Sequence, residues 1–413
     1  MMQSAIECVH QSLSVSVFSV GGRVLVKDAQ LNSEDTWEVV ISMASAALGV
    51  PDSCCMLLTQ LGNFLPASAT ADDCGSLTAV AVQKGRVFSS HHCRGFSYVR
   101  GIGSTVFWGN VPESSSVQAQ LKSGVQLVAG TSTSYAALKS DGSVVTWGNA
   151  HTGGDSSSVK EELTSVRHVV ATHGAFAAIR QDGSVVTWGN SWSGGDSSSV
   201  KDELKTVQCV GSSRSAFAAV TDAGVVVTWG MSCSGADCSA VREKLASNVR
   251  LVVGTSTSFA ALKHDGSVIT WGTPCTGGDS SSVKEKISSG VLSLASTSSA
   301  FAAVKDDGSI VTWGDCDAGG DCSSARQELY GVKSVAGTSS AFAAVKECGT
   351  VVTWGASASG GDSTLVKHDL CGVQHVTGTS GAFAALKDDG SIVTWGNARE
   401  GGDCGSVREA LLR

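Results

Sequence analysis

The sequence is short of the features that announce most chemistries. Proline occurs 4 times in 413 residues and charged residues make up 16%, well under the roughly one quarter usual for globular domains. No stretch approaches the ~18 apolar residues of a membrane helix. No long basic run occurs and the net charge is −8, which argues against nucleic acid as the main partner. The opening "MMQSAIECVHQSLSVSVF" has no Lys or Arg ahead of its apolar residues and makes a poor signal peptide. No Asn-x-Ser/Thr acceptor is present. The expectation is a soluble cytoplasmic or nuclear protein that meets no membrane.

Chemical motifs are equally scarce. There is no Walker phosphate loop, no Gly-x-Ser-x-Gly elbow, no His-Glu-x-x-His and no kinase signature. "RGIGSTVFWG" is Gly-rich but reads as a degenerate hairpin turn. The 14 cysteines include no Cys-x-x-Cys pair, so no zinc site is expected. Cys238, Cys322 and Cys404 share one repeat position, in units that are not sequence neighbours, and read as free thiols of a reducing compartment. His91-His92 has no surrounding ligand spacing and reads as a solvated loop. The chain is therefore expected to be no enzyme, with no catalytic residue, no metal and no cofactor.

What the chain does have is glycine, 49 residues of it, and a repeat. "SVVTWGNAHTGGDSSSVKEEL" (143–163) returns as "SVVTWGNSWSGGDSSSVKDEL" (184–204). Trp-Gly occurs at Trp108, Trp147, Trp188, Trp229, Trp271, Trp313, Trp354 and Trp395, at spacings of 39, 41, 41, 42, 42, 41 and 41. A fixed period near 40 marks a solenoid or a propeller. In the unit 164–204, "SVRHVVAT" and "AFAAIR" read as strands, "QDG" as a two-residue hairpin turn at Gly183, and "SVVTWG" as the returning strand. Strands apolar on both faces are buried on both faces, as stacked blades require. "SSSVKDEL" reads as a short outer helix or turn: Asp196 can cap it, and Ser199-x-x-Asp202 has the spacing of a capping box.

The fold expected is mainly β: a seven-bladed β-propeller of ~41-residue repeats over 123–413. Residues 85–122 form a degenerate repeat that is either a cap or an eighth blade. An open β-solenoid is the rival. Closure of the ring would remove exposed strand edges.

"FAALKHDGSVITWG" (259–272), preceded by "VRLVVGTS", resembles the repeat of the regulator of chromosome condensation family, over about 85–413. The resemblance departs from the family in unit length and in having "GGD" after Trp-Gly where the family has Gly-Gln-Leu-Gly. A compact relative, the propeller β-lactamase inhibitor type, has units of this length and implies three-stranded blades. The family resemblance implies nucleotide exchange on a small GTPase as one function, but the loops are short and no inserted wedge segment is visible. Large HERC-type ubiquitin ligases carry such propellers. No HECT domain has room after Arg413, so a substrate adaptor or a fragment related to those ligases is the reading that resemblance leaves. A plant ultraviolet-B receptor shares the propeller type, but its light-sensing Trp lie on an Arg-rich dimer face. The Trp here are those of the shared repeat.

Ahead of the repeats, residues 1–12 are expected to be flexible and 13–83 to form a small α+β domain. "VSVFSVGGRVLVKDA" (15–29) reads as a hairpin around Gly21-Gly22. "EDTWEVVISMASAAL" (34–48) places Trp37, Val40, Ile41, Ala44 and Leu48 on one helical face. "LTAVAV" (77–82) closes the series. The order ββαβ…β resembles ubiquitin, a β-grasp fold, most of all in "LGVPDSCCMLLTQLGNFL". The strand leads into "VQKGRVF" and not a diglycine terminus, and 1–83 holds one lysine, Lys27. The resemblance thus implies a docking module, not a conjugated modifier. Leu58 falls near the position of ubiquitin's apolar recognition patch and also fits a core role.

Within the repeats the frame is constant and four letters after Trp-Gly change: "NAHT", "NSWS", "MSCS", "TPCT", "DCDA", "ASAS" and "NARE". Loops on a rigid frame are where binding concentrates. The candidate partner-binding residues are His151, Trp192, Met231, Asp315, Asp317, Arg399 and Glu400, with Trp192 as anchor. Drift of solvated loops is the competing explanation. The repeated Trp147, Trp188, Trp229, Trp271, Trp313, Trp354 and Trp395 read as core. Asp155, Asp196, Asp237, Asp279, Asp321, Asp362 and Asp403, each eight residues after its Trp, read as helix caps. The function expected is a monomeric protein-interaction scaffold, its partners small GTPases, ubiquitin-pathway proteins or others.

Overall fold

In the computed structural model the residues described are 85–89, 92–101 and 103–411, preceded by five strands and Met43. The chain divides into two compact units, the first essentially residues 1–85 and the second the remainder.

In the first unit, β1 (Leu13–Ser19), β2 (Val24–Leu31), β3 (Cys55–Leu58), β4 (Phe64–Leu65) and β5 (Ser76–Ala81) form one sheet in the order β2-β1-β5-β3-β4. β1 runs antiparallel to β2 and parallel to β5. β3 is antiparallel to both β5 and β4, with Leu58 opposite Thr78 and Phe64. Met43, between β2 and β3, is helical. The expected flexible segment 1–12, the Gly21-Gly22 turn and the rest of the expected helix lie outside the described residues.

The second unit contains eight three-stranded antiparallel sheets, each built from consecutive strands. They are blade 1 (Arg86–Gly109), blade 2 (Val125–Gly148), blade 3 (Val166–Gly189), blade 4 (Val207–Gly230), blade 5 (Val249–Gly272), blade 6 (Val291–Gly314), blade 7 (Val332–Gly355) and blade 8 (Val373–Gly396). The propeller thus has eight blades, not seven. The degenerate unit has lost its turn and Gly-Gly-Asp motifs but keeps the Phe96–Trp108 cross-strand pair, and that pair is what an interface needs.

Blade 3 shows the logic. Its first strand, Val166–Ala171, is innermost, because the first strands of successive blades lie against one another. Its middle strand, Ala175–Arg180, is buried over five consecutive residues, which explains its lack of polar alternation. Phe176 and Trp188 are cross-strand partners and stack with ring centroids 5.1 Å apart. They pack, with Ala178, Val166 and Val169, against Ala136 and Leu138 of blade 2. Burial of 150–250 Å² per ring contributes about 4–6 kcal/mol at ~25 cal/mol per Å². The small alanines let neighbouring sheets approach closely enough for the aromatic pair to fill the gap.

The same cluster recurs at every junction, eight in all. The eighth joins Phe96 and Trp108 of blade 1 to Ala382, Ala384 and Leu386 of blade 8, with Leu411 beside them. Trp108 Nε1 donates to Gly401 O at 3.1 Å across that junction. The ring is therefore closed by packing between the first and last blades, with no strand shared between them.

Two local readings are refined. The "QDG" loop is one residue longer than a two-residue hairpin. Gly183 N donates to Arg180 O at 3.0 Å, and Gly183, at φ 83°, supplies the left-handed residue of a three-residue loop. The outer segments are short 3₁₀ turns, such as Ser198–Val200, extended to seven residues at Ser239–Leu245 and continued as a four-residue α-helix at Arg408–Leu411, with no fourth strand. The capping box does not form: Asp202 pairs instead with Lys205 at 3.1 Å. Basic residues ending the middle strands tie these segments down, as where Lys305 Nζ donates to Lys286 O and Ser289 O, both at 2.8 Å.

Candidate partner-binding face

The strand pairing sets which loops share an end of the ring. Ala171 lies opposite Phe176 and Ala175 opposite Gly189. The loop joining inner to middle strand and the tetrad after the outer strand therefore emerge together. Thr172 Oγ1 links them directly, donating to Ser193 O at 2.9 Å. The Asp-Gly hairpins emerge at the opposite end.

Each tetrad is a tight 3₁₀ turn ending at a left-handed glycine, and four of the seven, those that begin with Asn149, Asn190, Asp315 and Asn397, are also capped by a side chain at the start. In blade 3, Asn190 Oδ1 accepts from Trp192 N at 2.9 Å. At the far end Gly194 adopts φ 90°, and its carbonyl accepts from Trp229 Nε1 of blade 4 at 3.0 Å. A Cβ on Gly194 would fall 2.7 Å from Phe217 Cδ2. The glycine after each tetrad is thus fixed by the aromatic pair of the next blade. The second glycine is also crowded, since a Cβ on Gly195 would fall 2.6 Å from Gly189 O, but blade 4 accommodates Ala236 there with a looser turn: its N–H reaches Met231 O at 3.4 Å, against 2.9 Å for Gly195 to Asn190 O.

Seven tryptophans make this bond to the preceding blade: Trp108, Trp188, Trp229, Trp271, Trp313, Trp354 and Trp395. Trp147 Nε1 has no partner. The preceding unit there is blade 1, which has "NVPESS" (110–115) in place of the Gly-Gly-Asp segment that supplies the carbonyl.

The candidate partner-binding residues separate by position within the turn. His151, Trp192, Asp317 and Arg399 occupy the third position and are exposed. Trp192 is 75% exposed, an unusual display for so large an apolar side chain. Met231 and Asp315 occupy the first position: Met231 is half-buried, and Asp315 Oδ1 accepts from Asp317 N at 2.9 Å, so its carboxylate closes the turn. Glu400, at the fourth position, is half-buried and lies 3.8 Å from Arg94 Nε of blade 1.

The seven aspartates of the "GGD" position lie beyond the tetrads and are exposed. Each accepts through Oδ1 from the N–H two residues on, as Asp155 does from Ser157 at 2.9 Å. These bonds hold the carboxyls of Asp155, Asp196, Asp237, Asp279 and Asp362 below the usual range. Among the described residues no group of three His, Cys, Asp or Glu is placed to hold a metal ion. The cysteines at the next position replace a serine hydroxyl: Thr187 Oγ1 and Ser197 Oγ meet at 3.0 Å, Thr228 Oγ1 and Cys238 Sγ at 3.6 Å. Among the described residues no helix is long and apolar enough to cross a membrane.

The sequence reading missed a second set of loops at the same end. Ser132 N donates to His173 O, His173 N to Arg214 O, Arg214 N to Ser256 O, and so through Ser298, Ser339 and Ser380 to Cys93 O, at 2.8–3.2 Å. Seven of the eight junctions carry this bond, making a belt around the mouth of the axis. Five of these positions are serine, in blade 2 and blades 5–8, while blades 1, 3 and 4 carry Arg94 beside Cys93, His173 and Arg214. Partial desolvation, then the positive charges of Arg214 and Arg94, hold the His173 imidazole below its usual value. The signal was available: this loop also varies between otherwise constant copies.

No protein-family model matches the chain, and no curated protein matches it. Solved structures do match. Prp20p from Saccharomyces cerevisiae is similar at 14% identity over 67% of this chain and 82% of that one, with a TM-score of 0.41. The CRINKLY WD40 ectodomain of the Arabidopsis thaliana receptor kinase ACR4 is similar at 16% identity over 66% and 95%, TM-score 0.41. The computationally designed Ika8 protein is similar at 11% identity over 76% and 97%, TM-score 0.42. The eight-bladed architecture itself rests on the strand pairing and the closed ring of interfaces described above.

Proposed function

We propose that this chain is a non-enzymatic protein-interaction scaffold whose propeller binds a protein partner through the tetrad end of the ring. The observation that carries the reading is Trp192. Its indole is 75% exposed on a turn that Asn190 and Gly194 lock from both sides. A large apolar surface on a pre-ordered backbone loses little entropy on binding, and such aromatics dominate interface energetics. The first unit is a ubiquitin-like docking module in this reading. The sheet order β2-β1-β5-β3-β4, with β1 parallel to β5, supports it, as does the helical Met43 between β2 and β3.

The test is affinity capture from source-cell lysate with the full chain, beside a variant carrying Trp192→Ala, Arg399→Ala and Glu400→Ala. Proteins captured by the parent and lost by the variant support the scaffold. A small GTPase enriched only after nucleotide removal would favour an exchange factor instead. Identical captures from both baits would refute the tetrad-face reading.

A further inference from the structure

The propeller separates its charges by radius. From the start of each inner strand to the end of each middle strand, Val125–Lys139 in blade 2 and its seven counterparts, there is no Asp or Glu, although the chain holds 37. The acidic residues lie in the hairpins, the tetrads and the outer 3₁₀ turns. At the tetrad end, one arc of the acid-free rim carries Arg94, His173 and Arg214. Among the described residues no ion pair engages His173 or Arg214, and Arg94 has only Glu400, at 3.8 Å with the arginine side chain 58% exposed. Glu113 lies in the degenerate loop that follows the outer strand of blade 1, at the tetrad end. Trp192 stands on the same blade as His173, and its turn packs on that loop: a Cβ on Gly174 would sit 3.0 Å from Ser193 Oγ.

We propose that the arc formed by Arg94, His173 and Arg214 at the mouth of the propeller axis binds an acidic, Glu/Asp-rich segment of a protein partner. The inference rests on the scaffold reading above and gives its partner a chemistry. The hydrogen-bonded belt fixes the backbone that presents these side chains, so little loop ordering is needed on binding. The same belt disfavours phosphate as the occupant. Phosphate sites use clusters of free backbone N–H groups, but here the N–H groups of Ser132, His173 and Arg214 are already donated to neighbouring carbonyls. Those of Gly174 and Ala175 are donated to Thr172 Oγ1. What remains is guanidinium forks, which match carboxylate and phosphate alike, so the preference for carboxylate rests on the spent backbone N–H groups and the pyrophosphate arm of the test below. Nucleic acid is disfavoured by the short arc and by the net charge of −8.

The probe is a fluorescein-labelled decaglutamate peptide, titrated with the full chain at low ionic strength by fluorescence anisotropy. Two variants of equal net charge are compared: Arg94→Ala with Arg214→Ala, and Arg326→Ala with Arg408→Ala on the outer wall. All four side chains are exposed, and circular dichroism checks that each variant folds. The expected result is saturable binding, weakened by about tenfold or more in the rim variant, near parental in the outer-wall variant, and reduced by added salt. No binding, equal weakening in both variants, or displacement by inorganic pyrophosphate or a ten-nucleotide single strand at matched charge would overturn the proposal. Trp192→Ala is not expected to affect this featureless peptide. Failure here therefore leaves the capture test of the scaffold standing, and failure of that test is seen separately.

Discussion

Replacing Trp188 by Phe should destabilise the propeller more than replacing Trp147 by Phe, although the two residues occupy the same repeat position. Both changes leave a similar small void between blades, a cost common to the pair. They differ in the indole N–H. Trp188 Nε1 donates to the buried carbonyl of Gly153 at 3.0 Å, and losing it leaves that acceptor unsatisfied, at a cost of about 1–3 kcal/mol. Trp147 has no such bond, and Phe there removes a buried unpaired donor. One term runs the other way: Phe107 meets Trp147 edge-on at 5.5 Å, a contact of about 0.5–1.5 kcal/mol that Phe keeps in part. The net expectation is that Trp188→Phe is worse by about 1–2 kcal/mol. Urea unfolding midpoints for both variants and the parent, followed by circular dichroism and by tryptophan fluorescence, provide the assay. The two probes are compared because repeat arrays can lose two-state behaviour. Equal destabilisation, or a greater effect at Trp147, would refute the claim that the inter-blade bond distinguishes the positions.

Gly153→Ala should lower stability by about 2–4 kcal/mol, combining left-handed strain with a clash against Phe176, while Gly154→Ala should cost less, since Ala236 already occupies the equivalent place in blade 4; thermal melts of both variants decide, and the reverse order would contradict the geometry. Acid should destabilise the fold in two stages. Burial holds His168 and His375 below the ordinary 6.5, and serine hydrogen bonds hold Asp141, Asp182 and Asp265 below 3.8. In both cases the unfolded chain binds protons first, so these contributions are present above the unfolded values and lost as pH falls. Melting temperature should therefore drop from pH 7 downward and again below pH 4, and a flat or rising profile would exclude the assignment. Cys348 should alkylate faster than exposed Cys371 at pH 7.5, because bonding to Thr350 holds its thiol below the usual value and the thiolate is the reactive form. Mass spectrometry after iodoacetamide reads this, and Thr350→Val should slow it.

The propeller is legible in the sequence because its repeat is a packing unit. The Trp-Gly period and the doubly apolar strands each report one inter-blade cluster, and together they imply stacked blades. The blade count was less legible, because blade 1 keeps its Phe96–Trp108 pair and discards the turn residues by which a copy is recognised. The tetrads are legible as variable, but not which letter faces solvent. That depends on the 3₁₀ turn, which makes the first position a cap at Asn190 or Asp315 and exposes the third at Trp192 or Arg399. The rim residues Arg94, His173 and Arg214 are adjacent only through a belt that joins residues about 41 positions apart, and no local pattern shows that the copies meet around one axis.

The central claim, that the tetrad end of the ring is the binding face, is tested most directly by amide hydrogen exchange on the full chain, alone and with the captured partner. The account predicts slowed exchange at 149–154, 190–195 and the rim loops 131–134 and 172–175. Protection confined to the hairpins at 140–143 and 181–184, on the opposite end, or to the outer 3₁₀ turns, would contradict it.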